Sequence, residues 1–242
     1  MTKDTSWLSR TQLIVGAEGI KKLQNAHVLI VGLGGVGSFA AEFVARNGIG
    51  KMTIIDGDTV EASNRNRQLP ALVSTTGRKK AEIMAERIRD IQPDIELQIF
   101  DSFIEPERVA EIFKTSRFDF LIDAIDSITP KITFIELAYQ ANIPFVSSMG
   151  AGGRLDPTRV RVVDISKTFN CPFAQQIRKM LRKKLIYKGF KAVFSDEKPL
   201  EDSLVLTDGS NYKKSAFGTM SYMPATFGAV CASVAIRHIL EK

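Results

Sequence analysis

The sequence is poor in the residues that build metal clusters and thiol chemistry. Two cysteines, Cys171 and Cys231, and two histidines, His27 and His238, are all that 242 residues contain. That excludes a zinc ribbon and a disulfide framework, and it suits a reduced, cytoplasmic setting. The N-terminal stretch lacks an apolar core of the secretory type, so no signal peptide is expected. Internal repeats and low-complexity linkers are absent as well. The longest uncharged stretch runs from Ser215 to Ile236. Pro224, two glycines and several hydroxyl residues interrupt it, which predicts a loop leading into a buried C-terminal helix and no membrane insertion. What is present is ordinary for a globular chain: 44% apolar and 25% charged residues, enough to bury a sizeable core and too apolar for disorder.

The apolar pattern predicts a helix over Gln12–Gln24 and a buried strand over His27–Val31, and then an alternation. Helices are expected over Ser38–Asn47, Arg78–Ile91, Pro106–Thr115 and Pro130–Gln140. Strands are expected over Met52–Ile55, Ile95–Phe100, Phe118–Ile122 and Pro144–Ser148. Such spacing implies right-handed βαβ units. The fold class is therefore α/β, a Rossmann-like open and mainly parallel sheet with helices on both faces. After the GAGG turn at 150–153 the pattern changes to a strand over Arg159–Ile165, a basic helix over Pro172–Leu185 and a strand over Phe190–Ser195. We expect a single domain over 1–242, with a nucleotide-binding half at about 26–150 and a second half at about 151–242. The polar stretch Ser195–Ala216 fits either a lid or a passive loop.

The first strand runs straight into GLGGVG, residues 32–37, and then into a helix. In that context Gly32 permits the tight turn, Gly34 lets backbone amides approach a phosphate, and Gly37 allows close packing of helix on strand. Asp56 ends the next strand, where a ribose hydroxyl is usually held. These features alone do not separate a dinucleotide from ATP. Further residues favour ATP. Ser63-Asn64-Arg65-Asn66-Arg67-Gln68 brings cations and amides close behind, Lys80 opens a helix whose N-terminus suits anions, and Asp123-Ala124-Ile125-Asp126-Ser127 puts carboxylates at a strand's C-terminal edge, where magnesium could sit. Displacement at phosphorus needs such a set; hydride transfer does not.

With these residues the chain resembles the ThiF/MoeB/HesA superfamily, relatives of the ubiquitin-activating enzymes. Ser9-Arg10-Thr11-Gln12, GLGGVG, Asp56-Gly57-Asp58, Asn64, Arg67-Gln68, Lys80-Ala81 and Asp123–Asp126 carry the likeness. It implies Mg-ATP-dependent adenylation of a carboxylate by a homodimer, with the second half of the chain serving substrate and dimer. By the same resemblance Arg10 would reach the partner subunit's ATP, Asn64, Arg67 and Lys80 would contact phosphates, and Asp126 would hold the metal. The expected nucleotide set is Gly32, Gly34, Gly35, Val36, Gly37, Asp56, Asp58, Asn64, Arg67, Gln68, Lys80, Asp123 and Ser127. The expected catalytic set is Arg10, Arg67, Lys80 and Asp126.

Within the superfamily, Asp123-Ala124-Ile125-Asp126-Ser127, Pro130-Lys131, the GAGG turn with Asp156-Pro157, Val193-Phe194-Ser195 and Ala225-Thr226-Phe227-Gly228 resemble the tRNA threonylcarbamoyladenosine dehydratases. That likeness implies ATP-driven cyclisation of a modified adenosine next to the anticodon. The paired CxxC motifs of the sulfur-carrier activators are missing. Cys231 reads as a core residue. Cys171, just before Pro172, is the one place where a lowered pKa is conceivable, yet an intramolecular cyclisation needs no protein nucleophile. An activator of a ubiquitin-like or sulfur-carrier protein remains the alternative. A sulfur-relay partner and an alkali ion in the backbone-rich turns are left open.

The charge has an address. Of 33 cationic residues, Arg178, Lys179, Arg182, Lys183, Lys184, Lys188 and Lys191 fall in a window (175–195) with no acid, leaving 26 cations against 27 carboxylates elsewhere. A phosphate-tracking surface for tRNA is expected there, with Ile177, Met180, Leu181 and Leu185 turned inward. Tyr187 and Phe190 lie nearby; aromatics at such spacing are more often core, and the alternative is stacking on an unstacked loop base.

Overall fold

Seven strands form one sheet, in the order β3-β2-β1-β4-β5-β7-β6. The computed structural model describes residues 5–206 and 215–241. The strands are β1 His27–Val31, β2 Lys51–Ile55, β3 Glu96–Phe100, β4 Phe120–Asp123, β5 Phe145–Ser148, β6 Val160–Asp164 and β7 Lys191–Ser195. All neighbours pair parallel except β6 with β7. The open, mainly parallel sheet is thus as expected, and it runs unbroken across residue 150.

Helices α1 Ser9–Asn25, α2 Gly37–Arg46, α3 Lys80–Ile91, α4 Pro106–Thr115, α5 Ile128–Gln140, α6 Pro172–Arg182 and α7 Tyr222–Glu241 cover both faces. Two buried clusters result. One holds Val28, Ile30, Met52, Ile54, Ile122 and Val146 with α2, α3 and α7. The other holds Leu29, Val31, Leu121 and Phe194 with α4, α5 and α6. Strands buried on both sides are why β1 reads as an unbroken apolar run.

Three features depart from the sequence expectations. Helix α1 starts earlier, at Ser9, and breaks at Gly16, whose φ is +72°. Helix α6 stops at Arg182, and Leu185 lies beyond it at φ +60°, 77% exposed and not turned inward. Within the stretch 195–216 two three-residue strands form a hairpin, β8 Leu204–Leu206 with β9 Ser215–Phe217; residues 207–214 of that stretch lie outside the described residues. Helix α7 is long and apolar enough to cross a membrane by length and composition, but ten of its residues lie in the core.

Candidate active site

The glycine turn sits at the C-terminal edge of the sheet, where ligands of open sheets bind. Its sequence is forced by its neighbours. Gly32 has φ +84°, and a Cβ there would lie 2.7 Å from the Ala124 carbonyl oxygen. A Cβ on Gly37 would lie 1.7 Å from the Gly32 carbonyl oxygen. The turn is thus clamped between its own helix and the loop after β4, and any side chain at these points would push the two apart.

Asp56 braces the turn from β2. Its carboxylate accepts the Leu33 amide at 2.5 Å and the Asp58 amide at 2.8 Å. Burial pushes this carboxyl above its ordinary value, against the pull of Lys80 and the two amides. Lys80 is 4% exposed and its Nζ lies 2.9 Å from Asp58 Oδ2. The segment after β2 closes the other side. The Gln68 side-chain amide stands 3.6 Å from where a Gly34 Cβ would be, and the Arg67 carbonyl stands 3.3 Å from that of Gly35. Asn64 is buried, its backbone oxygen accepting the Arg67 and Gln68 amides and its Oδ1 the Glu61 amide. Arg67 donates to Ser63 O at 2.9 Å and Asn66 Oδ1 at 2.7 Å. Gly32–Gly37, Asp56, Asp58, Asn64, Arg67, Gln68 and Lys80 are therefore brought to one crevice.

The loop between β4 and α5 completes it. Asp126 is exposed on the rim, and buried Ser127 donates to it at 3.4 Å. Asp123 departs from the nucleotide set expected from the sequence. Its carboxylate is fully buried and accepts the Ser147 hydroxyl at 2.6 Å, the Ile125 amide at 3.1 Å and the Lys131 ammonium at 2.8 Å. It faces the protein interior, so it orders the loop and offers no oxygen to a nucleotide. Arg10 is exposed in the first turn of α1. The neighbouring Leu8 packs at Gly48 and lines a small cleft with Ile91 and Gln92, at the opposite end of the sheet. Arg10 thus stands away from the crevice of its own chain.

Two buried cations hold backbone turns beside the crevice, a role that their sequence context does not announce. Arg154, 3% exposed, donates to the carbonyls of Gly150, Gly152, Asn170 and Glu197 and so holds the GAGG turn. Lys131, with no exposure, lies under the loop that carries Asp126. The available signal was a lysine that is the sole cation in the mostly uncharged run ITPKITFIEL.

Neither thiol is poised for transfer chemistry. Burial pushes Cys231 up to about 12, so it stays protonated at neutral pH. Cys171 is 4% exposed and its Sγ accepts the Ala174 amide at 3.5 Å, capping α6.

Helix α6 leads from the crevice to the far edge. Phe173 in its first turn lies against Gly150. At the other end Lys191 opens β7 opposite Val146 near the start of β5. Eleven helical residues cover about 16 Å. Lys179, Arg182, Lys183, Lys184, Lys188 and Lys191 are exposed. Two members are engaged: Arg178 donates to Thr168 Oγ1, and Lys184 pairs with Glu136 at 2.6 Å. Tyr187 is 57% exposed, but at the end of the sheet away from the glycine turn. Phe190 is core, stacked on Phe145 with ring centroids 4.7 Å apart, so it cannot take up a base.

The ThiF family model matches residues 8–242. The chain belongs to the ThiF family. Among relatives of this ThiF chain, the tRNA threonylcarbamoyladenosine dehydratase of Bacillus subtilis is 39% identical, over 96% of this chain and 94% of that protein. The Escherichia coli enzyme of the same name is 37% identical, over 98% and 96%. The crystal structure of E. coli TcdA in complex with ATP superposes with a TM-score of 0.89 at 37% identity, covering 100% of this chain and 98% of that one. E. coli MccB, at 19% identity and a TM-score of 0.64, shares the fold.

Proposed function

We propose that this chain is an ATP-dependent tRNA threonylcarbamoyladenosine dehydratase. The supporting observation is that one chain, similar to the named dehydratases over nearly its full length, joins a glycine-turn crevice to an exposed cationic flank. A carboxylate oxygen of the threonylcarbamoyl group bonds to the α-phosphorus of ATP as pyrophosphate leaves. A nitrogen of the same side chain then bonds to the acyl carbon, AMP departs with that oxygen, and the nitrogen's proton passes to solvent. The net change in the nucleoside is the loss of one water. Both reacting ends belong to one substituent, so holding it in the crevice supplies a high effective concentration. The two capped or buried thiols agree with a route that passes no acyl group through the protein.

By this reading Asp56 would hold the ribose, the turn amides would bind phosphate, and Lys80 would reach phosphate by exchange with Asp58. Magnesium fits the rim. This ion is commonly held by one or two carboxylates with water and phosphate oxygens, and Asp126 offers such a carboxylate, whereas no group of three or more metal-binding side chains occurs among the described residues. It would neutralise charge on the phosphates. Arg10, distant from its own crevice, would serve the partner's site in a homodimer. Enzyme and tRNA would meet in the cytoplasm. A sulfur-relay partner and an alkali ion would be additions to this scheme, with no residue here committed to either.

Incubation with Mg-ATP and tRNA bearing threonylcarbamoyladenosine should release AMP and leave a nucleoside lighter by one water. Pyrophosphate exchange that appears only when a small carrier protein is added would overturn the proposal and favour carrier activation.

A further inference from the structure

The interior of the β4–α5 junction holds an ion pair with no exposure at either end. Lys131 Nζ lies 2.8 Å from Asp123 Oδ2 and 2.9 Å from the Ile125 carbonyl oxygen. Asp123 Oδ1 accepts the Ile125 amide at 3.1 Å. Both backbone polar groups of Ile125 are therefore held by the pair, one by each partner. Ser147 at the far end of β5 donates to Asp123 Oδ2 and ties the pair to the next strand.

A sealed ion pair is a poor source of stability. The cost of removing both charges from water offsets their attraction, and apolar residues of similar volume do as well or better. What such a pair supplies is direction, because each partner satisfies a fixed set of hydrogen bonds. Here the set fixes the residue immediately before Asp126. On the other side, the Ala124 carbonyl abuts Gly32 and the Ala124 methyl abuts Gly37. Ala124 is thus anchored on the glycine turn while Ile125 is anchored on the ion pair, so loss of the pair lets Asp126 move relative to the turn.

We propose that Lys131 is a positioning residue for the adenylation step. Its ammonium, acting with Asp123, sets the distance between Asp126 and the phosphate-binding turn. The proposal rests on the dehydratase reading for its chemistry, and on the Ile125 contacts for the positioning itself. The ammonium also lies 5.8 Å from the Phe173 ring centroid, so the head of α6 closes over the same pair.

Three variants test it: Lys131→Met, Lys131→Arg and the charge-neutral double variant D123N/K131M. The first leaves a buried carboxylate alone and is expected to lose stability. The double variant keeps an acceptor for the Ile125 amide and presents an amide N–H from which the Ser147 hydroxyl can accept, and it should melt within a few degrees of the parent. It should bind ATP without magnesium as the parent does. The gain in ATP affinity on adding magnesium should be lost in calorimetry, and kcat should fall roughly 100-fold, the scale of a small misplacement of reacting groups, with KM for tRNA unchanged. Lys131→Arg, which keeps the charge, should recover part of the magnesium response.

A double variant that folds and keeps both the parent's magnesium response and its kcat would overturn the proposal. So would a double variant that does not fold, since the pair would then be structural. If the parent itself fails to dehydrate the tRNA nucleoside, the functional reading falls, and the magnesium dependence of ATP binding still decides the role of Lys131.

Discussion

The crevice and the α6 flank both carry cations, and they treat them in opposite ways. In the crevice Lys80 and Lys131 are buried and held by carboxylates at 2.9 and 2.8 Å. On the flank Lys179, Arg182, Lys183, Lys188 and Lys191 stand in water. A buried, paired cation is expensive and directional, and suits atoms that must be placed within fractions of an ångström. An exposed cation is screened within about 10 Å at ordinary salt, and suits a long polyanion that needs attraction without register. One chain thus carries two kinds of positive charge, one buried and paired, the other exposed.

That division can be broken at either side. Asp126→Ala should reduce AMP formation by roughly 100-fold or more, the scale for loss of a transition-state electrostatic contact, while the melting temperature stays put. A variant that turns over at the parent rate would remove Asp126 from the metal assignment. On the flank, Arg182→Glu with Lys183→Glu should raise KM for tRNA about tenfold at low salt and lower the salt slope of binding by about two, with ATP affinity untouched. An unchanged tRNA affinity would take the flank out of the mechanism.

The smallest effect belongs to a pairing that serves neither side. Glu42 in α2 accepts from Arg87 at 2.6 and 3.0 Å and from Arg46 at 2.7 Å, and so ties α2 to α3. Burial alone would raise this carboxyl, but the two guanidinium groups more than offset it and hold it below its ordinary value of 4.5. Its contribution is therefore full above pH 4.5 and disappears as the pH falls through the lowered folded value. Glu42→Gln should cost about 1–2 kcal/mol at pH 7, read from denaturant melts. The gap from the parent should close in acid; a gap independent of pH would assign the effect to packing.

The order of strands and helices was legible because the central parallel strands β1, β4 and β5 are buried on both faces and the helices on one, and those two patterns differ in length and period. The glycine turn was legible for the same local reason: strand, turn and helix are contiguous. Asp123 was misread because a carboxylate at a strand's end can face solvent or interior, and the residue that decides between them, Lys131, lies on the next helix. Leu185 and Phe190 show the other limit. The apolar stripe of α6 continues in sequence past Arg182, but the chain turns there, so the first residue ends outside and the second inside. The β8–β9 hairpin is too short, at three residues a strand, to leave a period.

Helix α7 has a consequence for how the molecule comes apart. This helix packs on α2, with Gly228 so close to the Val36 carbonyl that a Cβ would lie 2.5 Å away. It also packs over β4 and β5 and shares a core with β1. The earliest and latest stretches of sequence thus complete one another's interior. Contacts so remote along the chain slow folding, because the intervening loop must be closed before they form. They also make residues 26–150 an unfinished body without α7, its apolar strands laid open on one side. The stretches before and after residue 150 should therefore melt as a single cooperative unit, and loosening the C-terminal helix should loosen the glycine turn with it.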